Sequence, residues 1–105
     1  MNIRTYLQPG DIGTIIQLHG ILYDREYGLD HTFEGYVASG MGEFAAAYDP
    51  ANDYFAVAEV DGRIIGSIVI VHQADQVARL RWFLVLPEAR GAGLGRRMLE
   101  DAMTF

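Results

Sequence analysis

The stretch LRWFLVLPEARGAGLGRR, residues 80–97, decides the fold of this 105-residue chain. Its first seven residues are apolar apart from one arginine and end at Pro87, which is the pattern of a buried strand. The second half contains three glycines and three arginines. From Gly93 or Leu94 to the C-terminus, apolar residues recur at the spacing of a helix. A strand that passes through a glycine-rich turn into a helix favours a fold of the α/β class.

The glycine-rich turn has the composition of an anion site. Glycines let backbone N–H groups come close to a ligand, and a helix start concentrates unpaired N–H groups with a partial positive charge. Arg90, Arg96 and Arg97 add full positive charges to the same segment. We therefore expect residues 90–97 to hold a pyrophosphate group; the alternative is a glycine turn into a helix that binds nothing.

The turn does not match the dinucleotide-binding fingerprint. A G-x-G-x-x-G motif that starts at Gly91 would need its third glycine at Arg96, and one that starts at Gly93 would need it at Met98. The fingerprint also requires a following strand with an acidic residue, whereas the sequence ends about ten residues after the turn.

The whole sequence predicts the element order β-α-α-β-β-β-α. The predicted elements are a strand over Ile3–Leu7, a helix from its N-cap Asp11 to Gly28, a second helix from Asp30 or Thr32 to Asp49-Pro50, strands over Tyr54–Val60, Arg63–His72 and Val77–Leu86, and the final helix. Asp61-Gly62 is a two-residue hairpin signal, and Gln73–Gln76 is expected to form a second turn.

Both predicted helices before residue 50 carry apolar stripes at a spacing of three and four residues. The first stripe comprises Ile12, Ile15, Ile16, His19, Leu22, Tyr23 and Glu26/Tyr27. The second comprises Phe33, Tyr36, Val37, Met41, Phe44 and Tyr48. In the last predicted strand, simple alternation places Phe83 and Val85 on one face and Trp82, Leu84 and Leu86 on the other.

Composition limits the classes of protein to which the chain can belong. Half of the residues are hydrophobic, 21% are charged and no apolar run reaches the length of a membrane span, which is typical of one globular domain without a membrane partner. The absence of cysteine excludes disulfides, cysteine zinc sites and thiolate nucleophiles. All eight bases are arginine, and the absence of lysine excludes a Walker-type phosphate loop and a Schiff-base lysine. Lack of cysteine and of a secretory leader predicts a cytoplasmic protein.

Charge is unevenly distributed along the sequence. The net charge of −6 disfavours direct binding to nucleic acid. Residues 1–75 contain three arginines and eleven acidic residues, a net charge of −8, whereas residues 76–105 contain five arginines and three acidic residues, a net charge of +2. The last third is therefore expected to contact an anion, the alternative being that its arginines are simply solvated.

The sequence Leu80–Pro87 followed by Arg90-Gly91-Ala92-Gly93-Leu94-Gly95 resembles the acetyl-CoA signature of the GNAT superfamily of N-acetyltransferases, Arg/Gln-x-x-Gly-x-Gly/Ala after the fourth strand. More narrowly, His19-Gly20, Tyr23–Gly28 and the Asp-Gly hairpin resemble acetyltransferase modules fused to MarR-type regulators. The resemblance implies one GNAT-like domain over residues 1–105, with a mixed, mainly antiparallel sheet and helices on both faces. It also implies truncation after the third helix, so that the family's C-terminal strands are absent.

By this resemblance the chain is an N-acetyltransferase that uses acetyl-CoA as donor. A primary amine would attack directly, without a metal or a covalent enzyme intermediate. The residues implied to bind acetyl-CoA are Phe83, Leu84 and Val85 for the pantetheine arm and Arg90, Gly91, Ala92, Gly93, Leu94, Gly95 and Arg96 for the pyrophosphate. The first group would use its main chain, since a strand edge can pair with an amide-bearing chain as it does with another strand.

Catalytic groups are less well indicated by the sequence. The family often places a glutamate on its fourth strand, where this chain has Arg79 and Arg81, and its usual acid, a tyrosine of a fourth helix, falls beyond residue 105. The candidates that remain are Glu26, Tyr27 and Glu59, followed by His72, His19 and Tyr23. Each has a structural alternative, which is a solvated surface for Glu59 and His72 and helix packing for the others. The three histidines lack metal-ligand spacing, so no metal site is expected.

A second hypothesis is a non-catalytic acetyl-CoA-binding or regulatory fragment. A sheet that stops at Val77–Leu86 would leave that strand with an unpaired apolar edge. We then expect a homodimer formed through the strand edge, or completion by a missing segment. Turnover of an amine separates the two hypotheses, because binding without turnover favours the second.

Overall fold

The computed structural model describes residues 1–73 and 77–105. Its elements are β1 (Asn2–Arg4), α1 (Asp11–Tyr27), α2 (His31–Ala47), β2 (Tyr54–Val60), β3 (Arg63–His72), β4 (Ala78–Val85), a 3-10 turn (Pro87–Ala89) and α3 (Leu94–Met103). The predicted element order and the mixed α/β class are confirmed. The elements form two compact units, one of Met1–Leu7 with Asp49–Phe105 and the other of Gln8–Tyr48. The assignment of residues 1–105 to a single domain stays a prediction.

The first unit contains a four-stranded antiparallel sheet in the order β1-β2-β3-β4. β2 and β3 have the predicted bounds and are joined by Asp61-Gly62, whose φ angles are 52° and 76°. Two successive residues with positive φ form a type I′ turn, which matches the right-handed twist of a hairpin. The predicted hairpin is therefore confirmed.

Helix α3 packs against β3 and β4 at a glycine. A Cβ atom at Gly66 would lie 3.1 Å from Sδ of Met98 and 3.2 Å from the carbonyl oxygen of Leu84. Gly66 thus gives the helix room to approach the sheet, and Met98 is 1% exposed in the resulting contact. This packing holds α3 against the end of β4 that leads into it.

The first strand is shorter than the predicted Ile3–Leu7. β1 ends at Arg4, whose side chain reaches forward along the chain: Nη1 donates to the Tyr6 carbonyl oxygen at 2.7 Å, and Nε donates to Oε1 of Glu59 at 3.1 Å. The Tyr6 carbonyl group is therefore used by a side chain instead of a neighbouring strand. Pairing with β2 stops at Arg4 for this reason.

The second unit is a pair of 17-residue helices, α1 and α2. The rings of Tyr23 on α1 and Phe33 on α2 stack with centroids 4.7 Å apart. Gly28 ends α1 as predicted, with φ 70° and its N–H donating to the Asp24 carbonyl oxygen. Of the two predicted starts for α2, the structure selects Asp30, which caps the helix by accepting the N–H of Thr32 at 2.9 Å.

The predicted N-cap of α1 is wrong by one residue. Gly10, with φ 96°, occupies the cap, and Asp11 is the first helical residue. Oδ2 of Asp11 accepts the N–H of Gln8 at 2.8 Å, so the carboxylate fixes the chain before the helix instead of the first helical amides. Its charge is still favourably placed, since a helix start carries a partial positive charge.

The predicted apolar stripes are too wide. They are correct at their centres, where the buried residues are Ile15, His19 and Leu22 in α1 and Val37, Met41 and Phe44 in α2. Tyr36 and Tyr27 are 63% and 65% exposed. Tyr36 lies about 100° around the helix from the buried Val37, outside the face of α2 that contains Val37, Met41 and Phe44. Tyr27 is the last residue of α1, and its neighbour Glu26 is also exposed.

Two boundaries at β4 also differ from expectation. β4 is one residue shorter at each end than the predicted Val77–Leu86. Of the predicted turn Gln73–Gln76, residues 74–76 lie outside the described part of the chain, while the N–H of Gln73 donates to the Val77 carbonyl oxygen at 2.7 Å.

Within residues 1–73 and 77–105, no helix has the length and hydrophobicity needed to cross a membrane.

Candidate functional site

β4 lies at one edge of the sheet formed by the described residues, and its backbone is irregular. Ser67 pairs with Leu84 and Val69 pairs with Arg81, so Trp82 and Phe83 together face Ile68 alone. Two residues opposite one constitute a β-bulge, and here Trp82 has φ 46°. The regular pairing with β3 is therefore interrupted at Trp82, while the predicted alternation from Trp82 onward is retained, since Trp82, Leu84 and Leu86 are buried and Phe83 and Val85 are half-buried.

Beyond the bulge, the backbone groups of β4 alternate between β3 and the free edge. The N–H of Leu86 donates to the Ile65 carbonyl oxygen at 2.9 Å, which places Leu86, and two residues earlier Leu84, on the side of β3. Phe83 and Val85 then direct their backbone groups to the free edge. Consistent with this, the Val85 carbonyl oxygen accepts a hydrogen bond from Nε of Arg90 at 3.0 Å.

The glycine turn and the start of α3 follow directly. Gly91 and Gly93 have φ angles of 86° and 81°, and nothing lies within 4 Å of a Cβ built on either, so both glycines are open on the side where a side chain would stand. The N–H of Arg97 donates to the Gly93 carbonyl oxygen at 3.0 Å, which begins the helical hydrogen bonding. The amides that precede Arg97 in α3 therefore have no acceptor within the helix.

The helix start lies against two side chains of β4. A Cβ atom at Gly95 would lie 3.5 Å from Cγ2 of Val85 and 3.7 Å from Cζ of Phe83, which are ordinary contact distances. The structure thus brings together the residues predicted to bind acetyl-CoA: the edge groups of Phe83 and Val85, their neighbour Leu84 on the β3 side, and residues 90–96. Among these, the side chain of Leu94 is buried and Ala92 is exposed.

The electrostatics of this segment favour an anion. The first turn of α3 contains no acidic residue. Arg96 and Arg97 are exposed and form ion pairs only one turn further on, with Glu100 at 2.8 Å and Asp101 at 3.9 Å. Exposed pairs of this kind are weak, so both guanidinium groups can reorient toward a ligand. The positive helix end and the arginines act in the same direction.

A cavity of about 640 Å³ adjoins the glycine turn. It is lined by Ala92, Gly93 and Leu94 together with the β2–β3 hairpin, and the exposed ion pair Arg63–Glu88, 2.7 Å long, contributes to its wall. None of the β4 residues 83–85 lines it. The cavity is therefore distinct from the strand edge, although both adjoin the glycine turn.

The candidate base Glu59 is engaged in the sheet. It is half-buried on β2, and both of its carboxylate oxygens accept hydrogen bonds from Arg4, at 3.1 Å and 3.4 Å. His72, at the end of β3, is exposed, and its backbone N–H donates to Asp53 Oδ1 at 3.1 Å. Within the described residues, no group of three His, Asp or Glu side chains is arranged to hold a metal ion.

The candidates of α1 form an aromatic series at the end of that helix. His19 stacks on Tyr23 with centroids 5.8 Å apart, and Tyr23 contacts Tyr27 at 5.3 Å. Burial lowers the pKa of His19, opposed by the hydrogen bond between Nδ1 and the Ile15 carbonyl oxygen at 2.8 Å. Since a carbonyl oxygen only accepts, Nδ1 carries the proton. Catalytic roles for Glu26, Tyr27 and Glu59 stay predictions.

Comparison with known sequences identifies the family. A profile described as an acetyltransferase (GNAT) domain matches residues 51–105, which is more than half of the chain and includes β2–β4, the glycine turn and α3. The chain belongs to the GNAT family of acetyltransferases. The resemblance inferred from residues 80–95 is confirmed. No curated protein sequence matches the chain.

Solved structures share this GNAT fold. A GNAT-family acetyltransferase from Staphylococcus aureus Mu50 matches with a TM-score of 0.79 at 16% identity, over 98% of this chain and 64% of that protein. An acetyltransferase from Trypanosoma brucei matches with a TM-score of 0.61 at 23% identity, over 98% and 72%. A predicted acetyltransferase with acetyl-CoA from Clostridium acetobutylicum matches with a TM-score of 0.67 at 16% identity, over 98% and 71%. The chain thus spans about two thirds of the length of these relatives.

The sequence analysis missed the bulge and its partner. Ser67 donates its hydroxyl hydrogen to the Trp82 carbonyl oxygen at 2.7 Å, across the break in register. One signal was present, because Ser67 is the only hydroxyl-bearing residue in the strand Arg63–His72. A buried hydroxyl needs a hydrogen-bond partner, but the sequence does not show which carbonyl supplies it.

Proposed function

We propose that the protein is an acetyl-CoA-dependent N-acetyltransferase that transfers the acetyl group directly to a primary amine. The observation that carries the proposal is the contact of the α3 start with β4, since a Cβ at Gly95 would meet the side chains of Val85 and Phe83, the two residues whose backbone groups face the free edge. One surface then offers edge groups for an amide-bearing arm and unpaired amides for a pyrophosphate.

The residues of this surface suit acetyl-CoA in two ways. The open, positive-φ positions Gly91 and Gly93 leave the backbone of the turn accessible to phosphate oxygens. Phe83 and Val85 supply edge N–H and C=O groups for the pantetheine amides, while Leu84 holds the strand to β3. Arg90, whose Nε donates to the Val85 carbonyl oxygen, lies between the strand edge and the glycine turn and adds positive charge there.

In the proposed transfer, the amine nitrogen loses its ammonium proton and attacks the thioester carbonyl carbon. The carbon–nitrogen bond forms and the carbon–sulfur bond breaks. The nitrogen then loses a second proton and the leaving thiolate takes up one, so that the products are the amide, the free thiol and one released proton. Arg79 and Arg81 on β4 cannot accept the ammonium proton. The candidates are therefore Glu59 acting through water, Glu26 and Tyr27, and pH–rate profiles of Glu59→Gln, Glu26→Gln and Tyr27→Phe identify which group controls the acidic limb, where the base must lose its proton to act.

The proposed acceptor is a cationic amine. In the helical unit a cavity of about 350 Å³ has Asp24, Asp30 and Glu34 in its wall. Hydrogen bonds from Thr32 lower the pKa of Asp30, which keeps that carboxylate ionised. We expect diamines to be acetylated in preference to aromatic amines, with Glu34→Gln raising KM for the diamine. Equal turnover of both amine classes would argue against a cationic acceptor.

The donor site is tested by isothermal titration of acetyl-CoA into Gly93→Glu and Gly10→Glu. Both substitutions impose the same strain, because Gly93 and Gly10 have φ angles of 81° and 96° and neither has a heavy atom within 4 Å of a built Cβ. Only Gly93→Glu places a carboxylate at the proposed pyrophosphate site, so only this variant should lose affinity. Unchanged affinity in a folded Gly93→Glu protein would contradict the proposed function.

A second candidate function is a non-catalytic acetyl-CoA-binding fragment completed by self-association. The observation in its favour is apolar exposure at the free edge of β4, where Leu80 is 46% exposed and the preceding Val77 is 51% exposed. Light scattering at high concentration would then report a dimer, and Leu80→Lys would return it to a monomer. A monomeric parent chain that acetylates amines contradicts this candidate.

A further inference from the structure

The bulge in β4 is held by a side chain of the neighbouring strand. Ser67, 1% exposed on β3, bonds the Trp82 carbonyl oxygen at 2.7 Å. With φ 46°, Trp82 has a backbone conformation that bulky residues rarely adopt, and such a conformation persists only where surrounding contacts impose it. The Ser67 hydrogen bond is one of these contacts, and the Arg81 guanidinium 4.2 Å above the Trp82 ring is another.

Peptide geometry links this bond to the free edge. No cis peptide bond is present among the described residues, so the C=O of Trp82 and the N–H of Phe83 belong to one trans peptide plane and point in opposite directions. Ser67 draws the carbonyl oxygen toward β3. The Phe83 N–H is therefore directed to the free edge of β4, next to the start of α3.

The position of Ser67 in its strand supports a specific role. Its neighbours Ile68, Val69 and Ile70 are apolar and buried. A hydroxyl in such surroundings is costly unless it is hydrogen-bonded. Packing alone would be served equally well by alanine, so the hydroxyl is explained by the Trp82 carbonyl oxygen that it binds.

We propose that Ser67 is a positioning residue of the donor site. It fixes the Trp82–Phe83 peptide so that the Phe83 N–H is presented to a carbonyl oxygen of the acyl-pantetheine arm. Ser67 does not touch the donor and acts only through the Trp82 carbonyl group. The inference rests on the proposed function, because it requires acetyl-CoA at the β4 edge.

The test separates the strand edge from the glycine turn by using two ligands. Acetyl-CoA contacts both, whereas ADP carries a pyrophosphate but no pantetheine arm. In the full chain, Ser67→Ala should lower the affinity for acetyl-CoA by about tenfold and leave the affinity for ADP within about twofold. Ser67→Cys, which has the same shape and a weaker donor, should lie between parent and Ser67→Ala. Ile70→Val trims the core of the same strand and should change neither affinity.

A spectroscopic readout follows the bulge itself. Trp82 is the only tryptophan of the chain, so its near-ultraviolet circular dichroism reports its surroundings. Ser67→Ala should alter this band while the far-ultraviolet spectrum is retained. An unaltered band with parental acetyl-CoA affinity overturns the proposal, and so does an equal loss of affinity for acetyl-CoA and ADP.

Failure of the proposed function gives a different result. The parent chain then binds neither acetyl-CoA nor ADP, and the donor role of Ser67 is overturned with it. In that case the near-ultraviolet circular dichroism of Trp82 still shows whether the Ser67 hydroxyl stabilises the bulge.

Discussion

Helices α1 and α3 begin with the same backbone geometry and with opposite charge. Each follows a glycine with positive φ, Gly10 at 96° and Gly93 at 81°. The first turn of α1 contains Asp11, which is 4% exposed and accepts the Gln8 N–H. The first turn of α3 contains no acidic residue and is followed by exposed arginines.

This difference separates a structural helix start from one suited to a ligand. α1 supplies its own anion to the positive end of the helix, so no external anion is needed. α3 supplies none, and its start lies against the Val85 and Phe83 side chains of β4. A left-handed glycine before a helix therefore does not by itself indicate a site; the missing internal anion and the adjacent strand edge do.

The largest expected effect comes from giving α3 the acid that α1 has. Gly95→Asp adds a carboxylate to the first turn of α3, where a Cβ fits at 3.5 Å from Val85. We expect acetyl-CoA affinity to fall by about thirtyfold, which corresponds to about 2 kcal/mol, because the carboxylate repels the pyrophosphate. Titration calorimetry measures this loss. Gly95→Ala adds the same Cβ without charge and should stay close to the parent; equal losses in both variants would contradict the electrostatic explanation.

The converse change removes the acid from α1. Asp11→Asn keeps the shape of the side chain but weakens the acceptor for the Gln8 N–H. The free energy of unfolding should fall by about 1–2 kcal/mol, measured by urea denaturation, while acetyl-CoA affinity is unchanged. Asp24→Asn, an exposed change in the last turn of the same helix, is the control and should not destabilise. A loss of acetyl-CoA affinity in Asp11→Asn would remove the distinction between the two helix starts.

The free energy of unfolding should depend on pH through a residue of α1. Burial lowers the pKa of His19 from its ordinary value of 6.5. The unfolded chain therefore takes up a proton at higher pH than the folded chain, and the neutral imidazole of His19 contributes to the free energy of unfolding. This contribution is complete above the pKa of the unfolded state and decreases as pH falls through the pKa of the folded state. Urea denaturation between about pH 7.5 and 5.5 measures the decline. His19→Phe keeps a ring against Tyr23 and should remove this part of the decline. A His19→Phe profile parallel to the parent would contradict the assignment.

The smallest effect concerns the exposed charges of α3. Arg96→Gln removes a guanidinium that forms an ion pair with Glu100 at 2.8 Å. Acetyl-CoA affinity should fall by about threefold at low salt and by less at high salt, because exposed charges are screened. Glu100→Gln frees the same arginine and should preserve or slightly raise affinity. A decrease of equal size in both variants would show that the ion pair, and not the Arg96 charge, supports binding.

Local patterns in the sequence were sufficient for most of the fold. The bounds of β2 and β3, the Asp61-Gly62 turn and Gly28 at the end of α1 each depend on neighbouring residues, and all were predicted. The early end of β1 and the bulge of β4 depend on contacts between distant residues. Arg4 reaches Glu59 on another strand, and Ser67 reaches Trp82 across fifteen positions.

The candidate site also has one part that follows from neighbouring residues and another that depends on distant contacts. The half proposed to bind an anion is a contiguous motif, residues 90–97, so the sequence alone was sufficient to propose it. The strand half depends on which backbone groups of Phe83, Leu84 and Val85 point outward, and that direction is set by the bulge. Catalytic groups would come from separate elements, and no spacing rule in the sequence connects Glu59 with Glu26 or Tyr27.

Thermal unfolding with and without saturating acetyl-CoA tests the central claim most directly. If the start of α3 and the edge of β4 bind acetyl-CoA, a concentration of about one hundred times the dissociation constant stabilises the fold by about 2.7 kcal/mol. For a chain of this size the melting temperature should then rise by roughly ten degrees or more. A cooperative transition at an unchanged temperature would contradict the claim and leave the glycine turn as a structural feature of the fold.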